Sequence, residues 1–367
     1  MPHPTSERFF SPVSLGSIEL RNRLVMAPLT RIRADEQGVP TDLMVEYYAQ
    51  RAGVGLIVTE GTWPVGEGRT WIGQPGIETA EHVAGWRRVT EAVHARGGRI
   101  VMQIMHGGRI GHEAISFTGR VVAPSAIAAP GQIRTPEGKQ PLPVPHPLST
   151  EEVSEVINQF VQAAQNAIAA GMDGVQIHGA NGYLIQQFTA PASNTRADGY
   201  GGSAENRARL AVEIAAAVAE AIGSERTGIR LSPQHNVQGA LEEDHDDALA
   251  TYQALAEGLA PLRLAHVDVL HPEPSAPLVQ AIRQASGAPL IANTGFAAPT
   301  GREEAFSMVE QNLAEAVGVG RAVIANPDLV RRWQQGLPEN APDPATFYIG
   351  GERGYTDYPT YSTGEHN

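Results

Sequence analysis

The stretch GVQIHGANGYLIQQFTAPASNTR, residues 174–196, says most about the fold of this chain. It opens as a short apolar strand in which successive side chains point to opposite faces. Gln176 and His178 therefore share one face, while Val175 and Ile177 share the other. A strand that is apolar on one side and ends in an imidazole on the other is typical of an inner barrel strand, with His178 at its carboxyl end.

Two further polar side chains, Asn181 and Tyr183, follow in the loop just beyond this strand. An imidazole and an amide can donate hydrogen bonds, and a phenol can give up a proton. This combination suits a site that polarises a carbonyl group and protonates a carbon atom. The alternative is that His178 is a buried structural histidine bonded to the backbone.

The bulk composition narrows the classes of function. The chain has 367 residues, a formal net charge of −13 and no cysteine. A strong negative charge argues against nucleic acid or an anionic membrane as partner, because both attract basic surfaces. Without cysteine there are no disulfides and no cysteine-ligated iron–sulfur cluster. We expect a cytoplasmic enzyme that acts as a monomer or homodimer.

Strand-like and helix-like segments alternate along the whole chain, and eight such pairs can be counted. Alternation of this kind implies a parallel sheet, and eight units favour a closed α/β barrel. We therefore predict a single (β/α)8 TIM-barrel domain over residues 1–367. The long Gly/Pro-rich excursion after the third strand, residues 107–147, is predicted to cap the site. The tail from Leu337 onward is predicted to pack across the barrel as a loop.

In barrels of this type the chemistry sits at the carboxyl ends of the strands. Arg230 ends the fifth predicted strand, and a cation there is costly unless an anion meets it. One interpretation is a buried ion pair with Asp268 on the next strand. The other is a ligand with negative charge on a planar edge, which the guanidinium fork suits.

The last two predicted strands end in glycines, with Asn293-Thr-Gly295 on one and Gly318-Val-Gly-Arg321 on the other. Barrels commonly bind phosphate in these two loops. Gln103, on the third strand, can both donate and accept, as the edge of a uracil-like ring requires. A phosphorylated planar cofactor such as FMN fits this arrangement, although spacing alone does not name it.

Several longer motifs resemble the Old Yellow Enzyme family of FMN-dependent ene-reductases, over nearly the whole chain. They are MAPLTR (26–31), QIMHGGR (103–109), HGANGYLIQQF (178–188), SNTRADGYGGSAENRARL (193–210), GIRLSP (228–233), GVGRAVIANPDL (318–329) and GYTDYP (354–359). Among its members, the chain looks most similar to the bacterial reductases of N-ethylmaleimide, nitrate esters and morphinone.

The resemblance implies a bound FMN, with NADPH or NADH as reductant. The implied cofactor-binding residues are Pro28, Thr30, Gly61, Gln103, Arg230, Gly295, Gly320 and Arg321. The implied substrates are small electron-deficient alkenes such as enones, enals, maleimides and nitroalkenes. His178 and Asn181 would hold the electron-withdrawing oxygen, and the aromatic rings of Trp71 and Tyr355 would line the substrate pocket.

The implied chemistry is transfer of hydride from NAD(P)H to flavin N5 and then to the β-carbon of the alkene, while Tyr183 protonates the α-carbon. Two positions depart from common family usage. Asn181 stands where many members have a second histidine, and Met105 stands where relatives often have tryptophan. The second departure is expected to change the shape of the pocket.

Two rival functions remain open on the sequence. One is a metal-dependent barrel hydrolase that uses some of the histidines His106, His178, His266 and His271 together with Asp268. It requires several imidazoles to converge, whereas strand parity puts His271 on the face opposite His266 and Asp268. The other rival is a flavin-binding protein without alkene turnover.

Overall fold

The barrel predicted from the sequence is confirmed. The computed structural model describes residues 7–295 and 299–362. Within these residues, eight parallel strands form a closed barrel in which each strand pairs with the next along the chain and the last pairs with the first. The barrel strands, in chain order, are Leu24–Met26, Leu56–Val58, Ile100–Ile104, Gly174–Gly179, Thr227–Leu231, His266–Leu270, Leu290–Asn293 and Ala316–Val319.

Helices alternate with these strands, as the sequence pattern predicted. The main helices are Asp42–Gln50, Ala80–Ala95, Thr150–Ala169, Ala204–Ile222, His245–Leu259, Pro277–Ser286, Arg302–Glu310 and Leu329–Gln335. Two shorter helices, Leu184–Thr189 and Arg321–Ala325, follow the fourth and eighth barrel strands. The first of these was not predicted, because all six of its residues are buried and it therefore lacks an amphipathic pattern.

Local sequence explains where the long helix Thr150–Ala169 begins. The hydroxyl of Ser149 accepts a hydrogen bond from the backbone N–H of Glu152 at 3.2 Å. The Glu152 carboxylate in turn accepts from the backbone N–H of Ser149 at 2.7 Å. This reciprocal capping box satisfies two otherwise unpaired donors. It directs the chain from the excursion into the helix that precedes the fourth barrel strand.

A small antiparallel hairpin closes the amino-terminal end of the barrel. Its strands, Val13–Leu15 and Ile18–Leu20, were not predicted from the sequence. Leu15, Ile18 and Leu20 are buried against inward-facing apolar side chains of the barrel. Those barrel residues are Val25, Leu56, Val58, Val101, Ile291 and Ala316. The half of the barrel interior nearest this hairpin, called the lower half below, is therefore filled and sealed by apolar groups.

The excursion after the third strand contains paired segments of its own. A hairpin of Gln132–Thr135 and Gly138–Pro141 projects from it, and Val122–Ala123 pairs with His146–Pro147. Arg134 and Thr135 line the cavity described below. The excursion therefore covers part of the site, as predicted.

The carboxyl-terminal tail also packs across the barrel, through two buried arginines that follow the first strand. Arg31 donates to the carbonyl oxygens of Phe347 and Gly354 at 3.1 and 2.7 Å. Arg33 donates to the carbonyl oxygens of Thr346, Phe347 and Ile349 at 2.8, 2.8 and 2.7 Å. These charge-assisted bonds hold the tail at the mouth of the barrel.

Candidate active site

A cavity of about 840 Å³ lies at the carboxyl ends of the barrel strands. Its size falls within the range of about 300–1,000 Å³ that is usual for small-molecule and cofactor sites. The structure brings together there nearly all the residues singled out in the sequence. Those lining the cavity are Pro28, Thr30, Gly61, Trp71, Gln103, His178, Asn181, Tyr183, Arg230, Gly295, Gly320 and Arg321.

The prediction that Tyr355 lines the pocket is wrong. Its side chain is 0% exposed and is not among the residues that line the cavity. The ring stacks on Tyr47 with centroids 4.0 Å apart and planes 7° apart, and the guanidinium groups of Arg31 and Arg33 lie over it. Because these stacking and cation–π contacts hold the ring away from the cavity, Tyr355 supports the tail behind the cavity wall.

His178 ends the fourth strand with its ring in the cavity wall. Its Nδ1 accepts a hydrogen bond from the backbone N–H of Ala180 at 3.2 Å. A neutral ring that accepts at Nδ1 carries its proton on Nε2, which leaves that nitrogen as a donor. Burial, reinforced by the positive charge of Arg230, lowers the pKa of His178 to about 3. The ring is therefore neutral at physiological pH, bonded to the backbone through Nδ1 while Nε2 carries a proton that it can donate.

The backbone of Asn181 adopts the left-handed conformation, with φ of 56°. This conformation is uncommon for a non-glycine residue, although asparagine tolerates it better than most. Ser232 Oγ accepts from the backbone N–H of Asn181 at 2.8 Å and itself donates to Gln186 Oε1 at 3.0 Å. The side-chain Oδ1 of Asn181 is buried and has no hydrogen-bond partner among the described residues. The loop is therefore held rigidly while the amide stays available to a ligand.

Tyr183 stands at the start of the short helix Leu184–Thr189. Its ring meets His178 and Trp71 edge to face, with centroid distances of 5.0 and 6.0 Å. Burial raises the pKa of the phenol, and a hydrogen bond from Gln238 offsets part of that effect. Tyr183 is therefore protonated at physiological pH and can act as a proton donor.

The wall formed by the third and fifth strands carries Gln103 and Arg230. The ion pair considered from the sequence is present, since Arg230 Nη1 lies 2.6 Å from Asp268 Oδ2. Arg230 nevertheless also lines the cavity, and its Nε has no partner among the described residues. The ion pair is therefore present while the Nε donor of the same guanidinium group stays unpaired, and ligand binding by Arg230 stays a prediction.

Glycines allow close approach of a ligand at two places in this cavity. A Cβ added to Gly61 would lie 2.6 Å from the sulfur of Met105, so a larger residue would displace that side chain. Gly295 has a φ of 111°, which is accessible to glycine and strained for other residues. The open Nε of Arg230, the amide of Gln103 and the glycine-lined end beside Arg321 fit a planar ring with a phosphorylated tail. The residues present therefore fit FMN.

Several lining residues were not found from the sequence. They are Ile32 and Ile72 on one rim, Val237 and Gln238 after the fifth strand, and Phe347, Tyr348 and Ile349 of the tail. The packing of the tail was predicted, but nothing in its composition indicated which side chains would reach the cavity. Four left-handed residues in two loops, Asn181, Gln234, Asn236 and Gln238, show that backbone conformation places Gln238 here.

The metal-dependent hydrolase gains no support from the structure. Among residues 7–295 and 299–362, no group of three or more histidine and acidic side chains is arranged to hold a metal ion. Within these described ranges, no helix has the length and apolar character needed to span a membrane.

Similar proteins agree over almost the full length of the chain. A probable flavin mononucleotide-dependent alkene reductase of Leishmania infantum is 45% identical over 357 residues, covering 95% of this chain and 96% of the relative. Enoate reductase 1 of Kluyveromyces lactis is 36% identical and covers 98% of this chain and 96% of its own.

Solved structures are equally similar. Morphinone reductase superposes with a TM-score of 0.90 at 41% identity, covering 98% of both chains. The old yellow enzyme homologue from Zymomonas mobilis also gives a TM-score of 0.90, at 38% identity, with coverage of 96% of this chain and 99% of its own. A model of the NADH:flavin oxidoreductase / NADH oxidase family matches residues 8–340. With the barrel, the cavity and these matches in agreement, the chain belongs to the NADH:flavin oxidoreductase family, of which the Old Yellow Enzymes are members.

Proposed function

We propose that this chain is an FMN-dependent NAD(P)H:alkene oxidoreductase that reduces the C=C bond of small electron-deficient alkenes. The observation that carries the proposal is that His178, Asn181 and Tyr183 line the same cavity as Gln103 and Arg230, with His178 beside Arg230 in register on neighbouring strands. Neither set of side chains provides both functions by itself. Together they provide a place for a planar cofactor and a set of donors for a substrate lying above it.

The residues expected to hold FMN divide by chemistry. Gln103 and Arg230 present an amide and a cation to the polar edge of the ring, and Thr30 presents a hydroxyl. Gly295, Gly320 and Arg321 lie together at the ends of the last two strands, where barrels commonly bind phosphate. When bound there, FMN supplies the hydride acceptor and donor that link the nicotinamide to the alkene.

The substrate oxygen is held by neutral donors. His178 donates from Nε2 and the amide of Asn181 turns its NH2 group toward the same oxygen. Negative charge develops on this oxygen as the alkene accepts hydride, so fixed donors stabilise the transition state more than the ground state. Tyr183, kept protonated by burial, gives its proton to the α-carbon.

Apolar side chains around Tyr183 keep water away from the transferred proton. Met105, Ile110, Ala129 and Tyr183 form a buried cluster, with Trp71 and Leu142 packed against it. Because apolar side chains exclude water here, each hydrogen bond made to the substrate is stronger. It also prevents bulk water from replacing Tyr183 as the proton donor.

The test is an anaerobic titration of purified protein followed by its visible absorption spectrum. We expect a yellow protein that NADPH or NADH bleaches and that an enone such as 2-cyclohexenone then recolours, with the saturated ketone formed in equal amount. A colourless protein that stays colourless with added FMN would refute the proposal. A yellow protein that NAD(P)H cannot bleach would favour a flavin-binding protein without turnover.

Several expectations stay predictions. They are the cytoplasmic location, the monomeric or dimeric state and the single domain over residues 1–367. The roles proposed for individual side chains belong to the same group. The titration with NADPH and NADH in parallel would also measure which nicotinamide is preferred.

A further inference from the structure

A buried ion pair lies in the upper half of the barrel interior. Arg230 and Asp268 are direct neighbours in register on the fifth and sixth strands. Their side chains are 4% and 1% exposed, and Arg230 Nη1 lies 2.6 Å from Asp268 Oδ2. Arg230 lines the cavity and Asp268 does not. The carboxylate therefore meets the guanidinium group from behind, on the side away from the ligand.

Asp268 is also joined to the second residue of that wall, Gln103. Gln176 Nε2 donates to Asp268 Oδ2 at 3.1 Å, and Gln103 Nε2 donates to Gln176 Oε1 at 2.8 Å. A carboxylate only accepts, so it fixes the direction of both amides. Gln103 consequently turns its Oε1 toward the cavity. One carboxylate thus pairs with the charge of Arg230 and fixes the orientation of Gln103.

The charge balance of this wall follows from the neighbouring groups. Burial lowers the pKa of both His178 and His266, to about 3 and about 4, so neither ring adds positive charge at neutral pH. Burial raises the pKa of Asp268, and the charge of Arg230 offsets part of that effect. A carboxyl group this close to a guanidinium group, with a second donor on the same oxygen, is held in its charged form. The ligand then faces a pair with little net charge.

We propose that Asp268 is a positioning residue that lowers the reduction potential of the bound flavin by neutralising and orienting Arg230. This inference depends on the proposed function, since it requires FMN in the cavity. Reduction of FMN by two electrons and one proton leaves a negative charge on the pyrimidine edge, which Arg230 is expected to face. A free cation would stabilise that charge strongly, whereas a cation paired at 2.6 Å stabilises it less.

The test compares the holoenzyme with the variant Asp268→Asn, which keeps the shape and one acceptor oxygen of the side chain. The measurement is the two-electron reduction potential, determined by equilibration with a reference dye in the absence of oxygen. We expect two-electron reduction to become at least tenfold more favourable, which corresponds to about 30 mV. An unchanged or lower potential would overturn the proposal, because either result would mean that the charge of Asp268 does not lower the reduction potential.

A matched control exists at the opposite end of the barrel. Asp173 also pairs with basic side chains, lying 2.9 Å from His94 and 3.9 Å from Arg99, but it precedes the fourth strand. Asp173→Asn removes the same charge without touching the cavity. We expect its potential to equal that of the unaltered protein. An equal rise in both variants would contradict a local role for Asp268.

Sulfite gives a second readout that does not depend on turnover. It adds to the flavin ring and leaves a negative charge on the same edge, so removal of the Asp268 charge is expected to tighten sulfite binding at least tenfold. If Asp268→Asn does not fold, Asp268→Ser removes the charge and leaves room for a water molecule. Unaltered sulfite affinity in the folded variant would refute the proposal.

The two proposals fail in different ways. Failure of the unaltered protein to hold FMN, or to be bleached by NAD(P)H, would refute the proposed function before any variant is made. Normal bleaching and alkene reduction, with no change in the potential of Asp268→Asn, would refute the role of Asp268 alone.

Discussion

The two halves of the barrel interior differ in whether their buried side chains find all their partners within the protein. The lower half is apolar and is sealed by the hairpin of Val13–Leu15 and Ile18–Leu20. The upper half contains buried polar atoms without partners among the described residues, including Arg230 Nε and Asn181 Oδ1, and both residues line the cavity. Buried polar groups in folded proteins are nearly always hydrogen-bonded. The lower half is therefore built for stability, and the upper half is built to be completed by a ligand.

The largest expected effect comes from removing the proton donor of the upper half. Tyr183→Phe keeps the ring that meets His178 and Trp71 edge to face but removes its hydroxyl. General acid catalysis typically contributes about 10²–10⁴-fold. We expect the alkene half-reaction to slow by at least about 10²-fold and flavin reduction by NAD(P)H to change little, as measured by stopped-flow absorbance.

Tyr200→Phe is the matched control for that variant. The hydroxyl of Tyr200 donates to Glu213 at 2.8 Å, outside the residues that line the cavity. Both half-reactions should be normal in this variant. If Tyr183→Phe slowed both half-reactions equally, Tyr183 would not be the proton donor.

The lower half should show the opposite behaviour, with loss of stability and normal chemistry. Ile18→Ala removes a buried side chain from the sealing hairpin and leaves a cavity. Such changes cost about 2–5 kcal/mol in the free energy of unfolding. We expect urea unfolding of the holoenzyme to show a loss of this size, with an unchanged flavin spectrum and alkene rate at low temperature.

Val144→Ala serves as the surface control, because Val144 is exposed and does not line the cavity. It should change the free energy of unfolding by less than about 0.5 kcal/mol. A change in the alkene rate of Ile18→Ala at full folding would show that the two halves are coupled.

A smaller effect is expected for the pH dependence of stability. Burial lowers the pKa of His266 to about 4, whereas an unfolded histidine titrates near 6.5. Between these values the unfolded chain binds a proton at this position and the folded chain does not, so acidification destabilises the folded state. Each pH unit in this window costs about 1.4 kcal/mol.

His266→Gln should reduce that pH dependence by the same amount, measured as the slope of unfolding free energy against pH between 6 and 5. His245→Gln, the same substitution at an exposed position, provides the surface control. Because buried carboxyl groups also titrate in acid, the difference between variants is the informative quantity. Equal slopes for His266→Gln and the unaltered protein would contradict a neutral buried ring.

The sequence predicted those parts of the molecule that depend on the alternation of side chains along strands and on residues that begin or end helices. Alternation along the strands predicted that Gln103, His178 and Arg230 would face one space, because the carboxyl ends of parallel barrel strands converge. The capping box of Ser149 and Glu152 is also a local sequence pattern, and it marks the start of the helix Thr150–Ala169. Such signals are local, so they can be recognised without knowledge of the packing.

The parts that failed depend on contacts between distant segments. The position of Tyr355 is decided by the ring of Tyr47 on a distant helix and by arginines more than 300 residues away. The hydrogen bond from Arg31 to the carbonyl oxygen of Gly354 illustrates this separation. Gln238 reaches the cavity through a loop of left-handed residues that no periodic pattern marks. The carboxylate behind Arg230 was considered only as an alternative to ligand binding, whereas Arg230 both pairs with that carboxylate and lines the cavity.

The smallest expected effect tests whether Tyr355 lies behind the cavity wall, as the structure has it, or in the substrate pocket. Tyr355 is buried behind the cavity, and its hydroxyl has no partner among the described residues. An unpaired buried hydroxyl is unfavourable, so Tyr355→Phe should change the free energy of unfolding by no more than about 1 kcal/mol, toward greater stability. It should leave KM for the alkene unchanged. Trp71→Ala, which removes a ring that lines the cavity, should raise KM. Steady-state kinetics on both variants decides the matter, and an equal rise in KM would place the Tyr355 side chain in the substrate pocket after all.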